Sequence, residues 1–141
     1  MRETTENFAA SEWAVEMLQA SAVKPTRQRV EIARVLFARH QHLPADQVLA
    51  LVSGAGCNLS KATVYNTLKL FVEKRLVREV IVDPDKVFYD SNTGPHHHFY
   101  DVDTGEIIDI DAALVEVTGL PPLPEGKVSE GVDVVVRVRR E

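Results

Sequence analysis

Between residues 60 and 90 the hydrophobic period of the chain changes from about 3.6 to 2. In "LSKATVYNTLKLFVEKRLV", Val64, Leu68 and Phe71 recur at i, i+4 and i+7 and build one apolar helix face, with Ser60 where an N-cap belongs. Thr63, Asn66, Thr67 and Lys69 fall on other faces, and Tyr65 points away from the apolar stripe. "LVREVIV", the tight "DPDK" and "VFYD" then predict a two-stranded hairpin.

Three more helices are expected upstream. "SEWAVEMLQASAV" carries Trp13, Met17 and Leu18 at helical spacing, with Ser11 as cap and a mobile stretch before it. "KPTRQRVEIARVLFAR" starts at a Thr26 cap and buries Val30, Ala33, Leu36 and Phe37. "LPADQVLALVSGAG" has Pro44 in its first turn and ends at Gly54 and Gly56. Helices followed by a hairpin, about residues 76–90, are the pattern of a winged helix, whose last helix faces the DNA major groove.

The second half reads differently. "HHFYDV", the turn "DTGE" and "IIDI" form another hairpin. "DAALVEVTG" is expected as a short helix between Asp111 and Gly119, and "VDVVVRVRR" as a strand. The fold class is therefore α+β: a winged-helix DNA-binding domain over residues 1–90, then a small α/β domain over residues 91–141. A core of about 50 residues is marginal alone, so this second domain is expected to dimerise through Val132, Val134, Val135, Val136 and Val138.

Charge divides along the same line. Net charge is −5, yet residues 24–80 carry ten Lys/Arg against four acids, while residues 83–141 carry five against thirteen. Such asymmetry points to a nucleic-acid-binding half joined to something else. No stretch has the roughly 18 consecutive apolar residues of a membrane span, and the N-terminus lacks a signal-peptide pattern. A cytoplasmic protein without membrane association is expected. The single Cys57 allows no internal disulfide and no cysteine-rich zinc site, and reads as buried and inert.

Taken together, "KPTRQRVEIARVL", "HLPADQV", "LSKATVYNTLKLFVEKRLV" and "HHHFYDVDTGEIIDI" resemble the ferric uptake regulator family, from about residue 14 to residue 138. Within the family, the HHH-F-Y run, the lack of CxxC pairs and the "VDVVVRVRR" ending are most similar to the iron response regulators of alphaproteobacteria. The resemblance implies a homodimeric repressor, or a higher oligomer, on AT-rich palindromic double-stranded DNA. It implies control by haem or a divalent metal in iron homeostasis, with a sensor of manganese or zinc as the alternative.

Ser60, Lys61, Ala62, Thr63, Tyr65 and Asn66 occupy the exposed side of the last helix. Thr63 and Asn66 suit base edges, Lys61 and Lys69 suit phosphates, and the family motif puts Tyr65 on thymine methyls. Lys24, Thr26 and Arg27, at the start of the second helix, are candidates for backbone phosphates.

Strand alternation puts His96 and His98 on one face and His97 on the other. Two histidines at i and i+2 are half of a metal site for Mn, Fe or Zn. The resemblance supplies His42, Asp90 and Asp109 as further ligands, and His97 with Glu116 as part of a second site. It also leaves haem open, on His96, His97 and His98 with Phe99 and Tyr100 packing on the porphyrin. Asp101 and Thr104 stand where the family carries CxxC cysteines, so no cysteine-ligated structural zinc is expected. An enzyme is not expected: no HExxH is present, and no nucleophile or spare base accompanies the His/Asp cluster. A metal store would leave the basic "ATVYNTLK" helix unexplained.

Overall fold

The computed structural model describes the backbone of residues 2–141 and side chains from Ser11 onward. The chain divides into two units, Met1–Thr93 and Gly94–Glu141.

The first unit holds helices α1 (Arg2–Ala20), α2 (Arg27–Leu36), α3 (Ala45–Gly54) and α4 (Lys61–Glu73). Its sheet, in the order β1-β3-β2, is built from β1 (His42–Leu43), β2 (Arg78–Asp83) and β3 (Lys86–Asp90). Helices followed by the β2–β3 hairpin make the expected winged helix. Ala14, Leu18, Ile32, Leu36, Val48, Val52, Val64, Leu68 and Phe71 are fully buried in one core. Phe37 packs tilted against Phe71, with ring centroids 6.1 Å apart.

Two predicted caps form. The Thr26 hydroxyl accepts from the Arg29 N–H at 3.4 Å, and Ser60 Oγ accepts from the Thr63 N–H at 3.1 Å. Other expectations need correction. Ser11 lies inside α1 rather than capping it, because the backbone is already helical from Arg2, where a mobile stretch was expected. Trp13 lies outside the stripe, 39% exposed, because the buried face of α1 runs through Ala14 and Leu18. Thr67 faces the core, 7% exposed, one position from the Leu68 row. Pro44 is the N-cap of α3 rather than a first-turn residue.

Helix α1 ends with Ala22 at φ 58°, and Val23 N–H returns to the Leu18 carbonyl at 2.9 Å. Helix α4 ends the same way, with Arg75 at φ 59° and Leu76 N–H on the Phe71 carbonyl at 2.9 Å. Both are left-handed helix terminators that glycine usually occupies.

The second unit is a three-stranded sheet in the order β5-β4-β6, with β4 (His96–Asp101), β5 (Ile107–Asp111) and β6 (Val135–Val138). β4 and β5 pair antiparallel around a turn with Gly105 at φ 77°, and β6 runs parallel to β4. The helix expected over "DAALVEVTG" is one 3-10 turn, Ala112–Leu114, capped by Asp111 Oδ1 accepting from the Ala113 N–H at 2.9 Å. Val115 is already extended, at φ −122° and ψ 122°. β-Branched Val115, Val117 and Thr118 favour that backbone over a helix. Residues 115–134 form no helix or strand, so the expected strand shortens to Val135–Val138.

Candidate functional site

The exposed face of α4 follows from its packing. With Val64, Thr67, Leu68 and Phe71 turned inward, Ser60, Lys61, Ala62, Tyr65, Asn66 and Lys69 are left exposed and Thr63 half-buried. Lys61 Nζ sits 3.5 Å from Asp46 Oδ1 and 5.7 Å from the centre of the Tyr65 ring. At the start of α2, Lys24 and Arg27 are exposed and Thr26 is half-buried. The Arg29 guanidinium donates to the Lys24 carbonyl at 3.1 Å, which fixes the approach to that helix.

A cavity of about 380 Å³ lies beside this surface, lined by Asp46, Tyr65, Glu79, Asp85, Phe88 and Tyr89 among others. Burial of the Tyr89 phenol, together with Glu79 and Tyr65, raises its pKa above the ordinary 10.0.

The metal-ligand candidates fall into two sets, one in each unit. In the first unit β1 puts His42 directly opposite Asp90 of β3. The Nε2 of His42 lies 3.1 Å from Asp90 Oδ2, and Asp90 Oδ1 accepts from the Asn92 N–H at 2.9 Å. The Asp90 carboxylate is fully buried. Sequence reasoning had no signal for β1 itself, since a two-residue strand has no measurable period.

In the second unit the alternation of β4 buries His96 and His98 on one face. Asp109 of β5 pairs directly with His98. Asp109 Oδ1 lies 3.4 Å from His98 Nε2 and 3.7 Å from His96 Nε2, and the two rings meet edge-on with centroids 4.5 Å apart. His96 Nδ1 is 2.7 Å from the Gly94 carbonyl. A carbonyl only accepts, so Nδ1 carries a proton, and Nε2 is the nitrogen that faces Asp109. Holding the distal nitrogen on a carbonyl is how a metal-binding histidine is oriented.

These distances fit a cation. Two donors about 2.1 Å from one ion, at right angles, lie about 3 Å apart. Both the His42–Asp90 pair and the His96–His98–Asp109 set approach that spacing, and imidazole with carboxylate suits Mn, Fe or Zn.

His97 behaves differently. Its Nδ1 accepts from the Val134 N–H at 3.0 Å, which ties the chain entering β6 to β4. A neutral ring so engaged carries its proton on Nε2, leaving neither nitrogen a lone pair for a metal. Glu116 is exposed on the irregular segment after the 3-10 turn. Among the described residues, no group of three or more metal-ligand side chains includes His97 or Glu116.

Asp101 and Thr104 lie at the β4–β5 turn. Asp101 Oδ1 accepts from the N–H groups of Asp103 and Thr104 at 2.9 and 3.2 Å. Asp103 Oδ2 accepts from the Arg140 N–H at 2.7 Å, which ties the residues after β6 to this turn. Cys57 is buried in the first unit's core. Among the described residues, no helix is long and apolar enough to cross a membrane.

The family model described as Ferric uptake regulator family matches residues 20–120. The peroxide-responsive repressor PerR of Staphylococcus epidermidis is 33% identical over 98 residues, which are 70% of this chain and 65% of that relative's length. The ferric uptake regulator of Pseudomonas aeruginosa, solved with manganese, superposes with a TM-score of 0.68 at 27% identity, over 89% of this chain and 96% of that one. The ferric uptake regulator of Francisella tularensis, solved with iron, gives 0.65 at 20% identity over 84% and 92% of the two chains, a likeness of fold alone.

Proposed function

The chain belongs to the ferric uptake regulator family, whose members are transcription regulators rather than enzymes, and from that premise we propose that it is a homodimeric, DNA-binding repressor controlled by a divalent metal. The observation that carries the metal reading is the pair of donor sets, His42 with Asp90 and His96 and His98 with Asp109, each at cation spacing within its own unit.

In this reading the five residues hold one Mn, Fe or Zn ion, which supplies a positive centre for imidazole nitrogens and carboxylate oxygens alike. His42 and Asp90 contribute from the DNA-binding unit and the other three from the second. Only residues 91–95 separate Asp90 from His96, so the two cannot be more than about 20 Å apart. Sharing an ion fixes that short connection. It thereby favours the dimer whose two α4 helices match successive major-groove faces of a palindrome.

Within each half of the dimer, Tyr65, Thr63 and Asn66 read bases. Ser60, Lys61, Ala62 and Lys69, with Lys24, Thr26 and Arg27, set the helices against phosphates. The homodimer is supported by an uncovered apolar row on the face of β4 opposite His98. Phe99 is the register partner of both Ile108 and Val136, and the three are 39%, 47% and 39% exposed.

The narrower reading, an iron and haem regulator of the iron response type, is supported by the histidine run and the absence of cysteine pairs. Burial of His96 and His98 beside a carboxylate, and engagement of His97 by Val134, favour a small cation over a porphyrin. The 33% identity to a repressor named for its peroxide response supports peroxide as a second input.

Titrating Mn²⁺, Fe²⁺, Zn²⁺ and haem separately against a labelled AT-rich palindrome tests the reading. One cation changing operator affinity at least tenfold, without a haem effect, is the expected result. Release by haem alone selects the iron response type, and indifference to every cation refutes metal control.

A further inference from the structure

We propose that Gln41 is a positioning residue for the pair His42 and Asp90, locking β1 in register by tying it to the C-terminal end of α2. This role rests on the metal reading above.

Helix α2 ends at Leu36, and the carbonyls of a last helical turn have no partner inside the helix. The Gln41 side-chain amide supplies one. Its Nε2 donates to the Val35 carbonyl at 2.6 Å and to the Leu36 carbonyl at 3.2 Å. An amide nitrogen has two hydrogens, so one group serves both acceptors.

The backbone of Gln41 is held from the other side. Its N–H donates to Ser91 Oγ at 3.1 Å, its carbonyl accepts from the Ser91 N–H at 3.3 Å, and Ser91 Oγ donates to the Arg39 carbonyl at 3.2 Å. Gln41 and Ser91 are the chain neighbours of His42 and Asp90. Every one of these bonds therefore acts on the backbone that sets the imidazole against the carboxylate. β1 has only two register pairs of its own, His42 with Asp90 and Leu43 with Tyr89. A slip of one residue would turn His42 to the opposite face.

The same residue connects the metal pair to the DNA surface. Helix α2 is ten residues long, a rod of about 15 Å, and the candidate phosphate contacts Lys24, Thr26 and Arg27 stand at its other end. Gln41 grips the near end of that rod.

The test uses the full-length chain with Co²⁺ as probe, read by calorimetric affinity and by the visible ligand-field spectrum. Gln41→Met keeps length and shape and removes the donor. The expected result is about tenfold weaker Co²⁺ binding, the size of losing an outer-shell partner, with an altered spectrum. Ser91→Ala should move both readouts the same way, and it replaces Gln41→Met if metal-free melting shows that variant unfolded. Folded variants with wild-type affinity and spectrum overturn the proposal. His42→Ala separates the two possible failures. If it too leaves Co²⁺ binding unchanged, the metal reading itself falls; if it abolishes binding while Gln41→Met does nothing, only the positioning role falls.

Discussion

His42 and Asp90 face each other across the β1–β3 pair, with His42 Nε2 3.1 Å from Asp90 Oδ2. The carboxyl group is fully buried, and a buried polar group that loses its neighbour keeps its desolvation cost. His42→Ala should therefore destabilise the metal-free protein by about 1–3 kcal/mol. Urea unfolding monitored through the first unit checks this, and an unchanged midpoint would show that the imidazole contributes nothing to holding the carboxylate.

Lys61 is held between Asp46 and Tyr65 in the absence of DNA. A phosphate contact there competes with Asp46, an exposed and salt-screened partner worth little by itself. Lys61→Ala should weaken binding to all sequences and reduce the salt slope by about one. Tyr65→Ala should weaken operator binding while leaving random DNA nearly unaffected. Asp46→Asn should tighten both by a few-fold at low salt. Anisotropy titrations at several salt concentrations distinguish the three.

The raised pKa of Tyr89 makes a pH prediction. Its phenol stays protonated in the folded state after the unfolded chain has begun to ionise near 10. The stabilisation is complete below pH 10 and is lost as pH rises through the folded value. Wild type should accordingly lose stability above pH 10 more steeply than Tyr89→Phe. Parallel melting curves for the two would count against the assigned burial and the Glu79 contact.

The parts legible from sequence are those whose signal is local. The switch of period near residue 75, the Ser60 and Thr26 caps and the wing turn all formed, because each depends on side chains within a few positions of one another. The same local logic misjudged Ser11 and Trp13, since nothing local tells which side of α1 meets the core or that the helix begins upstream. It also extended a helix through Val115 and Val117, where β-branching favours extended chain. β1 was illegible because its two residues become a strand only by pairing with the distant β3, His42 with Asp90 and Leu43 with Tyr89. His96, His98 and Asp109 were legible as a set only once strand alternation was combined with the family resemblance. The use of His97 Nδ1 by Val134 N–H is a contact between distant segments that no motif records.

Metal control as proposed requires the two donor sets to share one ion. Metal content and calorimetric stoichiometry, measured on wild type, His42→Ala and His98→Ala, test this most directly. The expected result is one Mn²⁺ per wild-type chain at this site, and its loss in either variant although the two substitutions lie in different units. Two independent ions in wild type, or full binding retained by either variant, would contradict it.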